Sequence, residues 1–180
     1  MEEINMRILE NCEPKQVFYY FEEICKIPHG SGNTRQISDY LKAFADEHDL
    51  YCRQDELNNI VMIKEASNGY EDHAPVLLQG HMDMVPQKDP KVEHNFETDP
   101  IQTWIDGEWV KAKGTTLGAD DGIGVAAIMA VMEDKGNLKH GPLEALITTD
   151  EETHMVGANG LKPGVLNGEI LLNLDTEDEG

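Results

Sequence analysis

Positive charge is scarce in this sequence. Its 14 lysines and arginines stand against 35 aspartates and glutamates, a net charge of −21. Such a surface repels nucleic acid and anionic membranes, so neither is expected as a partner. Cysteine is rarer still: Cys12, Cys25 and Cys52 are odd in number and lack CxxC spacing. They suit neither a disulfide framework nor a zinc knuckle, and read as reduced thiols of a cytoplasmic protein. No apolar run approaches the ~20 residues that cross a bilayer. The start, Met1-Glu2-Glu3, also lacks the basic-then-apolar order of a secretory signal. Internal repeats and low-complexity tracts are missing too.

What is present fits one domain. A length of 180 residues allows a substantial single core. Glu13-Pro14 followed by Val17, Phe18, Phe21, Ile24 and Cys25 predicts an amphipathic helix with proline near its start. Pro28 should end it near Ile27. After the loop Pro28-His29-Gly30-Ser31-Gly32-Asn33, Thr34 is placed to cap a second helix carrying Ile37, Tyr40, Leu41 and Phe44. Asn59 to Ile63 is a short strand, and Trp104 to Val110 is a hairpin with Asp106-Gly107 as its turn. Ile123 to Met132 is apolar on nearly every face, which predicts a helix buried beneath other elements. Alternating strands and helices indicate an α/β fold: a mostly parallel or mixed central sheet with helices on both faces.

Three strands end in chemistry. Pro75 to Leu78 breaks at Gly80 into His81 and Asp83, which alternation places on one side of the chain. An imidazole there can bind a metal while the carboxylate orients it; a buried histidine with a salt-bridge partner is the competing explanation. Leu143 to Thr148 ends in Asp150-Glu151-Glu152, and Glu169 to Leu174 ends in Asp175. Asp120 stands at the entrance of the buried helix. Ligands gather at the carboxyl ends of strands in open α/β sheets, and unpaired carboxylates in one crevice repel. Divalent cations relieve that repulsion, and a mixture of imidazole and carboxylates suits zinc, with manganese or cobalt as alternatives. Of the adjacent Glu151 and Glu152, one can be a ligand and the other a general base.

The motifs Gly80-His81-Met82-Asp83-Met84-Val85-Pro86, Gly118-Ala119-Asp120-Asp121-Gly122, Thr149-Asp150-Glu151-Glu152 and Asn173-Leu174-Asp175 resemble those of the co-catalytic zinc peptidases. That family includes aminoacylase, peptidase T, carboxypeptidase G and the cytosolic dipeptidases. Leu78 to Lys88, His140-Gly141-Pro142-Leu143-Glu144 and Pro28 to Asn33 are similar to its aminoacyl-histidine (Xaa-His, carnosinase-like) branch. The resemblance implies that Asp120 bridges two zinc ions, that His81 and Asp175 complete one site, and that Glu152 serves the other. It makes Glu151 the general base and Asp83 the residue that orients His81. The implied reaction is hydrolysis of a dipeptide by a water held between the metals, in an enzyme that is commonly a homodimer.

Two departures stand out. The family has glycine two residues after its second glutamate, where this chain has His154. An imidazole there either crowds the site, supplies a ligand or faces solvent. The second metal's histidine also comes from near the end of a longer chain, beyond an inserted lid domain, and His29, His48, His73, His94 and His140 lie outside the matching motif. Residues 1–180 are therefore expected to be the N-terminal part of the catalytic domain, with one metal site short of a ligand. A catalytically inactive metal-binding fragment, or a related tripeptidase or aminoacylase, is the alternative. A metal-free carboxylate-pair glycosidase would leave His81 and Asp83 unexplained.

Overall fold

The structure, a computed structural model, describes residues 7–175. In chain order the elements begin with α1 (Lys15–Cys25), α2 (Arg35–Glu47), β1 (Tyr51–Gln54), β2 (Ile60–Lys64) and β3 (Val76–His81). A separate hairpin, β4 (Thr103–Asp106) and β5 (Trp109–Ala112), precedes α3 (Ala119–Glu133). Then come β6 (Leu143–Thr148), the one-turn helices α4 (Glu151–His154) and α5 (Val156–Asn159), and β7 (Ile170–Asn173).

The five-stranded sheet has the order β1-β2-β6-β3-β7. It is mixed: β1, β2 and β6 pair antiparallel, while β3 runs parallel to both β6 and β7. β6 lies at its centre with all six residues buried, as a continuous apolar run requires when both faces are covered. Strand β1 has no counterpart in the sequence reading. Tyr51-Cys52-Arg53-Gln54 lacks an apolar run because it is an edge strand, half-buried only at alternate residues.

One main core lies between the sheet and the three long helices. Phe21 and Ile24 of α1, Ile37 and Leu41 of α2, Ile128 and Met129 of α3 and Ala145 and Ile147 of β6 all belong to it. Helix α3 is covered as its composition predicts: none of its residues from Asp121 onward is exposed. α1 lies directly over it, so close that a Cβ on Gly122 would come within 3.3 Å of the Phe21 ring. Full burial of a side chain such as Ile128 is worth about 1.5–3 kcal/mol. The opposite face is covered more thinly, where Leu161 and Leu166 pack on Val61, Leu77 and Leu146.

Two local expectations change. Thr34 precedes α2, but its hydroxyl makes no capping bond, and its backbone is already near-helical (φ −95°, ψ −3°); a capping residue is normally extended. In the hairpin, Asp106 pairs with Trp109, so the two loop residues are Gly107 and Glu108. Only Gly107 has positive φ (+63°), the pattern of a type II′ turn rather than the Asp-Gly type I′ turn.

Candidate metal centre

Strand order decides which side chains meet. β3 lies between β6 and β7, so the residues just beyond those two strands flank the end of β3. His81 is level with Thr148 of β6. Gln79 is level with Asn173 of β7, which puts Asp175, two residues further, beside His81. Asp120 arrives from the other direction, at the mouth of α3. It comes after Gly118, whose φ of +73° favours glycine, and it keeps a non-helical backbone.

The His81 side chain is fully buried and bonded at both nitrogens. Nδ1 donates to the Asp83 carbonyl at 3.0 Å and lies 3.3 Å from the Asp83 carboxylate. Nε2 donates to Asp120 Oδ1 at 3.0 Å and has carboxylate oxygens of Glu151 and Asp175 at 3.9 Å each. Burial works against the charged ring, but the Asp83 and Asp120 carboxylates outweigh it and hold its pKa up at about 9.

Asp83 is buried as well. Burial alone would raise its pKa, yet contacts with His81, the Ser31 hydroxyl (2.8 Å) and the Glu151 backbone N–H (3.0 Å) bring it below the usual carboxylate range. Glu152 is pushed upward, first by burial and then by the charge of Asp120. Two donor groups result, His81–Glu151–Asp175 and His81–Asp120–Glu152, each with ligand atoms within 4.8 Å of one another. Both groups share His81, so they are overlapping sets of neighbouring ligand atoms and not two separate sites. Here Nε2 bonds Asp120 directly, while Glu151 and Asp175 approach the ring from the flanking strands.

All six expected residues, His81, Asp83, Asp120, Glu151, Glu152 and Asp175, therefore share one site. His154 does not join them: it is exposed at the end of α4 and belongs to neither donor group. The donor set fits a divalent cation. Four carboxylates, Asp120, Glu151, Glu152 and Asp175, surround one imidazole nitrogen. Among the described residues no lysine or arginine pairs with them. A divalent cation in place of the single Nε2 proton balances more of that charge.

Two contributors escaped the sequence reading. Asp121 turns into the core, and its Oδ2 accepts the His81 backbone N–H at 3.1 Å. Burial raises its pKa to about 7 despite the nearby His81 charge. Its carboxylate occupies space left by two glycines: a Cβ on Gly80 or Gly124 would come within 2.2 or 2.1 Å of it. Those glycines, which leave room for the two oxygens of the Asp121 carboxylate, were the available signal. Ser31 is the other contributor: it stands in the Pro28 to Asn33 stretch, which gave its hydroxyl no role.

The sequence pattern of the Peptidase family M20/M25/M40 matches residues 77–174, the span from β3 to the residue before Asp175. The cytosol non-specific dipeptidase of Escherichia coli (strain K12) is 47% identical over 175 residues, which are 97% of this chain and 36% of that protein. The crystal structure of aminoacylhistidine dipeptidase from Vibrio alginolyticus is also 47% identical, with a TM-score of 0.92. That alignment covers 100% of this chain and 36% of the Vibrio one. A tripeptidase from Staphylococcus aureus, at 23% identity and a TM-score of 0.75, shares the fold over 90% of this chain and 43% of its own. The chain thus spans little more than a third of the dipeptidases it matches. Its matched span contains the strand ends that build the site, and the chain belongs to the Peptidase family M20/M25/M40.

Proposed function

We propose that this chain provides the metal-binding face of a peptidase that hydrolyses dipeptides, aminoacyl-histidine dipeptides foremost. The meeting of His81, Asp120, Glu151, Glu152 and Asp175 at one end of the sheet carries the reading. The residues would hold two zinc ions, with manganese or cobalt as alternatives. Asp120 would be shared, His81 and Asp175 would serve one ion, and Glu152 would serve the other. A bound divalent cation supplies Lewis acidity, polarising a peptide carbonyl and making water more acidic.

The chain's own groups do the rest. Glu151 is the general base: its carboxylate faces the cluster, and its backbone is anchored on Asp83. It takes a proton from the attacking water and returns it to the leaving amine. Asp83 keeps the His81 ring in place, and Asp121 holds the backbone of the same residue. The preference for a C-terminal histidine rests on the branch motifs and on the name of the Vibrio relative. A cytoplasmic location and a homodimeric parent enzyme belong to the same reading. So does the placement of residues 1–180 as the N-terminal part of the catalytic domain, with the lid and the remaining metal ligand outside it. The 36% coverage supports that placement.

That coverage also favours a second reading, in which the chain by itself binds metal without turnover. Zinc analysis after dialysis, with an aminoacyl-histidine hydrolysis assay, separates the two. Two zinc equivalents and chelator-sensitive hydrolysis support the first. One equivalent or fewer without hydrolysis supports the second. A chain that takes up no metal defeats both.

A further inference from the structure

We propose that Ser31 is a positioning residue for His81, acting through Asp83, within a 28–33 loop that clamps two strand ends together. The inference rests on the metal-centre reading and deepens it. The loop Pro28-His29-Gly30-Ser31-Gly32-Asn33 lies far from the site in sequence, yet it runs beside the chain just past Asp83. Ser31 N–H donates to the Met84 carbonyl and Met84 N–H to the His29 carbonyl, both at 3.1 Å.

From that fixed backbone two consecutive residues grip two carboxylates. The Ser31 hydroxyl donates to Asp83 Oδ2 at 2.8 Å. The Gly32 N–H donates to Asp150 Oδ1 at 2.7 Å. Gly32 does so at φ +82°, a conformation that favours glycine. Asp83 lies just past β3, whereas Asp150 lies just past β6 and immediately precedes Glu151 and Glu152. One loop therefore sets the spacing between the imidazole and the glutamate pair.

The division of labour on Asp83 gives Ser31 its role. A carboxylate turns easily about its last bond, and such terminal torsions are broad. Ser31 occupies Oδ2, which leaves Oδ1 for His81 Nδ1 (3.3 Å) and the Glu151 N–H (3.0 Å). Without the hydroxyl, Oδ2 loses its partner, and the carboxylate is held through Oδ1 alone, about which it can turn out of line with the ring. The alternative acceptor for that hydroxyl, the Met84 carbonyl, is further off at 3.4 Å.

The test compares the chain with its Ser31→Ala and Ser31→Thr variants by two measurements. The first is the His81 Nδ1–H resonance of the metal-free protein, labelled with ¹⁵N-histidine. The second is cobalt(II) affinity by chelator competition. Loss of a partner behind a metal-bound histidine typically weakens metal binding about 10–100-fold. Ser31→Ala should shift or broaden the resonance and weaken cobalt binding by that order, and Ser31→Thr should restore both. Wild-type behaviour of Ser31→Ala overturns the proposal. Equal losses in both variants overturn it too, because the threonine keeps the hydroxyl. If Ser31→Ala does not fold, Ser31→Thr must still match the wild type in both measurements, and failure there is decisive. Should the wild type bind no cobalt, the metal-centre reading fails, and the His81 resonance alone judges the clamp.

Discussion

Asp83 Oδ1 accepts the backbone N–H of Glu151 at 3.0 Å. The bond ties the end of one central strand to the first turn beyond its neighbour. Because the same oxygen faces His81 Nδ1 at 3.3 Å, one carboxylate fixes the direction of the imidazole and the starting point of the two glutamates.

Asp83→Ala removes the carboxylate from the Ser31 hydroxyl and the Glu151 N–H, and leaves His81 Nδ1 with only the backbone carbonyl of residue 83. Each buried donor left without a partner costs about 1–3 kcal/mol, and metal affinity should fall about 10–100-fold. Thermal unfolding and chelator competition measure the two effects separately. Lost stability with undiminished metal affinity would mean that Asp83 does not orient His81.

Glu151→Ala and Glu152→Ala should part company in the complete enzyme. Removing a general base slows turnover by about 10²–10⁴-fold while leaving bound zinc in place. Removing Glu152 should lower the zinc content itself. Zinc analysis beside steady-state kinetics decides the assignment, and zinc lost from Glu151→Ala would make that residue a ligand.

Gly124→Ala sets two effects against each other. Replacing a helical glycine by alanine ordinarily stabilises by about 1 kcal/mol. Here the new methyl would sit 2.1 Å from Asp121 Oδ1, a distance real Cβ atoms do not tolerate. Displacing that carboxylate frees the buried His81 N–H, so the variant should be less stable than the wild type and bind metal more weakly. Calorimetry showing a higher melting temperature would contradict this.

Acid should weaken the fold through His29. Burial holds its imidazole below the ordinary range, against the opposing pull of the Ile27 carbonyl and Asp83. The unfolded chain then takes up a proton near about pH 6.5 that the folded chain resists. His29's contribution is complete above that pH and is lost as pH falls through the lower folded value. Urea unfolding of the wild type and His29→Gln across this range should give a shallower pH dependence for the variant, and equal slopes would reject the assignment.

Core and hairpin positions should respond very differently to the same change. Ile128 is fully buried on α3, whereas Ile105 is 43% exposed on β4. Ile128→Ala should cost about 2–5 kcal/mol, the usual range for buried aliphatic truncations. Ile105→Ala should stay within about 0.5 kcal/mol, as surface changes generally do. Denaturant titration measures both.

Much of this was legible in the chain. Ile123 to Met132 announced a covered helix because no face of it is polar, and Leu143 to Thr148 announced a central strand because its apolar run is unbroken. Asp175 and Glu152 were visible because acids directly follow apolar strands. Tyr51 to Gln54 was hidden, since an edge strand needs only alternate residues covered. Thr34 misled because residue type alone does not reveal a backbone that has already turned helical.

The sequence by itself determined the α/β class and the residue types that crowd the site, because periodicity and strand-end chemistry are local properties, and its ordered motifs carried the resemblance to the family. Only the tertiary structure decided who touches whom. The order β6-β3-β7 sets Glu151 and Asp175 on either side of His81, and sheet order is set by packing between segments far apart in the chain. The buried carboxylate of Asp121 and the hydroxyl of Ser31 took on their roles in the same way. Each depends on a partner at least 40 residues away, and no local pattern encodes that distance.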